Sequence, residues 1–211
     1  MRTRHVIPAS IAAAVLASTP ALADNFSYNQ IELGIVGTTV DDQGGDFDTE
    51  GGGLKLRGSV EFTPNLFGFA DLSSQRHELK YYDEHFDISR AALGVGFNYP
   101  LGRGLDLVTS ASLQRLRTES EVDTFSGNGY GLYLGLRGGA GRVEWHAGLE
   151  YSDFDFDLGG EDDFDASDTM FSAGFRYQFT PTFSLGLDLA GNGDDETSAT
   201  LAFRWTFSDG R

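Results

Sequence analysis

The chain has 211 residues, no cysteine, a net charge of −17 and an aromatic content of 13%. No disulfide can staple such a chain, and so acidic a surface offers no basic face for a nucleic acid. Aromatic residues at this density, set in regular runs, exclude a disordered acidic chain.

Residues 1–23 read as a secretory signal peptide for Sec-type export. Arg2, Arg4 and His5 make a basic start, and Val6 to Ser18 is a short apolar run. Thr19-Pro20-Ala21-Leu22-Ala23 then ends in an Ala-x-Ala cleavage site before Asp24. The run is too short and wrongly flanked for a spanning helix. Residues 24–211 form one domain, with no later apolar run long enough for a transmembrane helix.

From there the chain alternates apolar and polar residues with period two, which is the periodicity of half-buried strands. Strand one, about Ser27 to Thr39, sets Ile31, Leu33 and Ile35 against Gln30, Glu32 and Gly34. After an acidic loop (Val40 to Glu50), strand two sets Leu54, Leu56, Val60 and Phe62 against Lys55, Arg57, Ser59 and Glu61. Thr63-Pro64-Asn65 is a tight turn, with Pro presetting φ and Asn tolerating turn geometry. In strand three Phe67 and Phe69 share parity with Asp71, and Asp71 is assigned inward.

A loop from Gln75 to Asp87 leads to strand four, with Leu93, Val95, Phe97 and Tyr99 opposite Arg90, Gly94 and Gly96. Strand five follows the turn Pro100 to Gly104 and sets Leu105, Leu107 and Leu113 against Asp106, Ser112 and Gln114. A third loop (Thr118 to Asn128) precedes strand six, where Leu132, Leu134 and Leu136 oppose Tyr133, Gly135 and Arg137. Strand seven sets Trp145, Leu149 and Tyr151 against Glu144, His146 and Glu150. The fourth loop, Asp153 to Asp168, is the longest and carries eight carboxylates. Strand eight sets Phe171, Phe175 and Tyr177 against Gly174 and Arg176, and strand nine sets Leu185, Leu187 and Leu189 against Gly186 and Asp188. After Gly191 to Glu196, the last strand has Ala199, Leu201, Phe203, Trp205 and Phe207 on one face and Ser198, Thr200, Arg204 and Thr206 on the other.

Long and short connections alternate strictly, as in an antiparallel up-and-down transmembrane β-barrel with short turns on one side and long loops on the other. Ten strands are expected, with eight as the alternative. The apolar face is expected to meet lipid, because so many large side chains would not fit inside a small barrel. Glycines cluster on the polar face, where side chains crowd the lumen. Phe97, Tyr99, Trp145, Tyr177, Trp205 and Phe207 lie at strand ends beside the short turns, the height of a membrane-interface girdle.

The polar face carries seven acids (Glu32, Glu61, Asp71, Asp106, Glu144, Glu150, Asp188) and six bases (Lys55, Arg57, Arg90, Arg137, Arg176, Arg204). Buried charges must be paired, so these residues are expected to form an ion-pair network that fills the lumen. The acidity lies in the loops. Asp153, Asp155, Asp157, Glu161, Asp162 and Asp163 are candidate ligands for Ca²⁺ or Mg²⁺, although Leu158 and Phe164 break the EF-hand pattern. The solvated-loop alternative needs no ion, the Phe residues alternating with Asp there could equally extend strand seven above the membrane, and no other cofactor is implied.

The chain is not read as an enzyme. His146 could meet Glu144 or Glu150, but no nucleophile pattern accompanies it, which leaves a lipid-modifying barrel enzyme as a remote alternative.

The exported start, the alternating hairpins, the opening Phe26-Ser27-Tyr28-Asn29-Gln30-Ile31-Glu32 and the aromatic end Phe203-Arg204-Trp205-Thr206-Phe207 together resemble the small OmpA/OmpX-like outer-membrane barrels of Gram-negative bacteria. The resemblance implies location in the outer membrane, contact with its lipid and lipopolysaccharide, and recognition of the last strand by the barrel-assembly machinery. It implies a structural role or surface adhesion and host contact, with a narrow channel for small solutes as the alternative. Ser208-Asp209-Gly210-Arg211 trails past the terminal aromatic, a departure from the family pattern. Oligomeric state is not legible.

Overall fold

The computed structural model describes residues 26–41, 48–79, 84–120, 124–157, 164–193 and 195–207. The expected leader at 1–23 and the candidate ligands Glu161, Asp162 and Asp163 lie outside the described residues.

Ten strands follow one another: β1 (Gln30–Val40), β2 (Thr49–Thr63), β3 (Leu66–Leu79), β4 (His85–Gly102), β5 (Leu105–Ser120), β6 (Thr124–Ala140), β7 (Val143–Asp157), β8 (Phe164–Gln178), β9 (Phe183–Gly191) and β10 (Glu196–Thr206). Each pairs antiparallel with its sequence neighbours, and β1 pairs with β10 to close the barrel. The closing ladder runs unbroken from Gln30–Thr206 to Val40–Glu196. Closure gives each of the ten strands a partner on both sides, while β8 from Phe164 to Met170 runs beyond the end of β9 and is paired to β7 alone.

The period-two pattern sends the apolar residues outward. Leu93 and Leu113 are 69% and 76% exposed, and Leu33, Ile35, Leu54 and Phe171 are exposed beside them. Among the described residues no side chain is fully buried, and the few buried apolar ones form a small cluster at one end, not a core of the soluble kind. The belt of exposed aliphatic residues is what hydrocarbon, and not water, would cover.

Two expectations need correction. β1 begins at Gln30 and not at Ser27, because Phe26 to Asn29 turn across the barrel mouth, tied by the Tyr28 amide donating to Glu61 Oε1 (2.6 Å). The strands also run further past the apolar belt than the loop composition suggested. β3 reaches Leu79, β4 starts at His85, β7 reaches Asp157 and β8 starts at Phe164, so the fourth loop shrinks to residues 158–163. The ladder continues there because the alternation continues: Phe154 is buried while Asp155, paired with Asp165 on β8, is exposed.

Phe67 and Phe69 point into the lumen with Asp71, and both are buried. Glycine makes room for them. A Cβ on Gly96 would lie 2.1 Å from Phe67 Cζ, and one on Gly94 would lie 2.5 Å from Phe69 Cζ. The short turns at the same end use Gly104 and Gly141 in the left-handed region (φ 70° and 63°), which glycine adopts without steric cost.

Candidate functional site: the barrel lumen

β1, β8 and β10 bring the first group of lumen charges together. Arg204 Nη2 lies 2.6 Å from Glu32 Oε1, and Arg176 Nη2 lies 3.0 Å from Glu32 Oε2. All three side chains are at most 10% exposed. Glu32 and Arg204 are also direct ladder partners, so the closing seam carries an ion pair on its inner face. Arg204 reaches on to Glu144 on β7 (3.1 Å), which also holds Arg137 (2.8 Å). Gln178 Nε2 donates to the other Glu144 oxygen, and Arg176 extends the chain to Asp188 (3.5 Å). Six charged residues thus form one connected set across the barrel, with every carboxylate facing a guanidinium.

Five further expected members form two separate groups. Arg90 spans the lumen from β4 to Glu150 on β7 (2.7 Å) and donates to Gln114 Oε1 and Ser152 Oγ. Asp71 lies between Lys55 (3.5 Å) and Arg57 (3.8 Å). Among the described residues Glu61 and Asp106 form no ion pair with a guanidinium. Glu61 binds the Tyr28 amide and Asn29 Nδ2, while Asp106 accepts from Tyr28 Oη (3.4 Å) and Asn98 Nδ2 (3.3 Å).

His146 meets neither Glu144 nor Glu150. Its Nε2 lies 3.6 Å from Asp188 Oδ1 on β9. The register explains this: His146 faces Gly174 on β8, and Gly174 faces Asp188. With no side chain between them the two reach across the intervening strand, and a Cβ on Gly174 would lie 2.1 Å from Asp188 Oδ1. Glu144 is held by Arg137 and Arg204, and Glu150 by Arg90.

An aromatic plug at the end bearing the short turns was not foreseen in the sequence. Tyr28 stacks on Phe67 (centroids 4.3 Å apart, 15° between planes), and Phe69 and Val108 complete the buried cluster. Phe26 packs against it. The Arg137 guanidinium sits over both Phe26 (4.7 Å) and Tyr28 (4.8 Å), and its Nη1 donates to the Ser27 carbonyl. Cation–π contacts of this kind gain strength when water is excluded. The signal available was the parity of Phe67 and Phe69 with Asp71, two large rings on the polar face.

The ion pairs do not fill the lumen. A cavity of about 830 Å³ remains, reaching the outer strand ends at Val40, Thr49 and Glu196. Small residues facing inward at mid-height, among them Gly34, Ser73, Ala92 and Ser112, leave that space open. On the outside, Tyr99, Tyr177 and Trp205 are exposed beside the short turns, as is Phe97, and Trp145 and Phe207 are partly exposed at the same end. Of the candidate cation ligands, Asp153 and Asp155 lie on the outer surface above Tyr130 and Tyr151, both of whose hydroxyls donate to Asp153 Oδ2 (3.3 and 2.9 Å). Among the described residues no group of three carboxylates or histidines converges to hold a metal.

The family described as outer membrane protein β-barrel domain matches residues 9–207. No curated protein matches the sequence. Among solved structures, the translocator domain of autotransporter NalP from Neisseria meningitidis is similar at 13% identity and a TM-score of 0.51, covering 88% of this chain and 91% of that one. An outer-membrane channel from Pseudomonas putida is similar at 13% identity and a TM-score of 0.51, covering 90% of this chain and all of that one, 100%. The β domain of the Bordetella autotransporter BrkA is similar at 11% identity and a TM-score of 0.50, covering 84% and 98%. At these identities the likeness is one of fold.

Proposed function

The chain belongs to the outer-membrane β-barrel family, a ten-stranded barrel in the bacterial outer membrane, and from that premise we propose that it acts through its outer surface and not as an open pore or an enzyme. The observation that carries this reading is the closed mouth at the short-turn end. There Phe26 and Tyr28 lie against Phe67 and under Arg137, with the Glu32, Glu144, Arg176 and Arg204 set above them. A mobile hydrated ion would have to displace stacked rings and break charge-assisted bonds to pass. What the protein presents outward is the extended hairpins and their acidic loops, a surface for structural or adhesive contact with the host. Lipid and lipopolysaccharide are the partners around the belt, the assembly machinery the partner of β10, and the first 23 residues a leader removed on export. His146, paired with Asp188, serves the lumen set on this reading.

Planar bilayer recording on the refolded protein tests the proposal. We expect no steady opening at physiological voltage. Stable nanosiemens steps carried by the unmodified chain would overturn it. The cavity of about 830 Å³ favours one second reading, a narrow solute path gated at the plug. In that case Arg57→Gln or Arg137→Gln shifts ion selectivity, and unchanged selectivity counts against it.

A further inference from the structure

We infer that the outer half of the lumen is a binding cup for an amphiphilic carboxylate, a ligand with one anionic end and an apolar, ring-bearing tail. At its floor two part-exposed cations face one carboxylate within salt-bridge distance. Lys55 and Arg57 share the single carboxylate of Asp71, at 3.5 and 3.8 Å, and their side chains are 40% and 44% exposed. Glu32 is the ladder partner of Arg57, yet its two oxygens are engaged by Arg176 and Arg204. With Asp71 the one carboxylate within 4 Å of either cation among the described residues, and neither contact shorter than 3.5 Å, the pair keeps donors for a second carboxylate, which would take the place of water on them.

The walls above that floor are aromatic. His77 stacks on Phe86 (5.2 Å) and Phe154 tilts against Phe156 (6.1 Å), and all four line the same cavity as Lys55 and Arg57. Phe86 stands four residues outward of Arg90 on β4, about 13 Å at strand rise. The cup therefore accepts a tail of about that length, and rings in the tail would find offset or edge contacts with the collar. Glu196 and Asp168 line the cavity near its outer end, so a carboxylate is disfavoured there and settles on the deeper pair. The volume, about 830 Å³, lies within the range of small-molecule sites. The cup does not depend on the closed mouth: conductance reports on the plug, and binding reports on the cup.

The test uses the protein in lipid nanodiscs, titrated calorimetrically with 6-phenylhexanoate and with its uncharged analogue 6-phenylhexanol, each corrected with protein-free nanodiscs. The acid should bind saturably and about tenfold more tightly than the alcohol. In the Lys55→Gln/Arg57→Gln variant, shown to be folded by heat-modifiable gel mobility, that preference should collapse. Phe86→Ala should weaken both ligands alike. Equal binding of acid and alcohol to the unmodified protein overturns the inference, as does the absence of saturable binding above the blank. If the double variant does not fold, the acid-to-alcohol ratio on the unmodified protein decides alone.

Discussion

Replacing Glu32 by Gln keeps the shape of the side chain and removes the charge between two buried guanidiniums. In the native barrel its carboxylate lies 2.6 Å from Arg204 and 3.0 Å from Arg176, and both arginines are less than 10% exposed. The amide offers one weaker acceptor where two charged oxygens stood. Each charge-assisted hydrogen bond contributes about 1.5–3 kcal/mol, and breaking a buried pair costs about 3–5 kcal/mol. Glu144 and Asp188 still compensate part of the charge, which puts the loss near the low end, about 3 kcal/mol. That is more than a hundredfold in the unfolding equilibrium. Urea unfolding from lipid vesicles, followed by the fluorescence of Trp145 and Trp205, measures it. Asp87→Asn is the control, because Asp87 pairs with Arg76 on the outside of the outer hairpin, where solvent screening leaves little to lose. In a double-mutant cycle with Arg204→Gln, the two lumen substitutions should be strongly non-additive. If Glu32→Gln unfolds at the same urea concentration as Asp87→Asn, the ion set does not hold the barrel together and the argument fails.

Gly96→Ala should destabilise the barrel by about 1–3 kcal/mol, because the new methyl meets the Phe67 ring and overpacks the plug; Gly102→Ala, with nothing within 4 Å, should be silent in the same unfolding assay. Tyr28→Ala combined with Phe67→Ala should convert a silent bilayer trace into resolved openings, and continued silence would mean that the plug is not what closes the mouth. His77, beyond the apolar belt and packed on Phe86, has its pKa pushed below the ordinary histidine value by burial. The folded state thus binds its proton less readily than the unfolded state does. The stability it supports is full above the unfolded value, about 6.5, and falls as pH drops below it. An imidazole proton NMR titration with its midpoint at or above that of a model histidine peptide would contradict this.

The period-two alternation and the rhythm of turns were enough to place the strands, ten with eight as the alternative, and the face each presents, because side-chain direction along a strand follows from backbone geometry alone. Leu33 outward and Glu32 inward could be read without coordinates, and so could the inventory of lumen charges. Partner choice could not. Whether His146 meets Glu144, Glu150 or Asp188 depends on the register between β7, β8 and β9 and on the gap at Gly174. The extension of β7 through Asp157 was legible as one alternative, Phe alternating with Asp, but the acidic composition reads equally as a loop, and only the pairing with β6 and β8 decides between them.

The plug shows the division most sharply. Phe26 and Tyr28 look in the sequence like the start of a strand, and Phe67 and Phe69, sharing parity with the inward Asp71, are two large rings on the polar face with no visible reason to be there. Only the closed cylinder places the four rings in one mouth, across strands far apart in the chain, where Gly94, Gly96 and Arg137 receive them. The amino-acid order by itself determined which way each side chain points, a local property of the extended backbone. The tertiary structure decided which side chains meet across the lumen and what space they leave, since closure and strand stagger are properties of all ten strands at once.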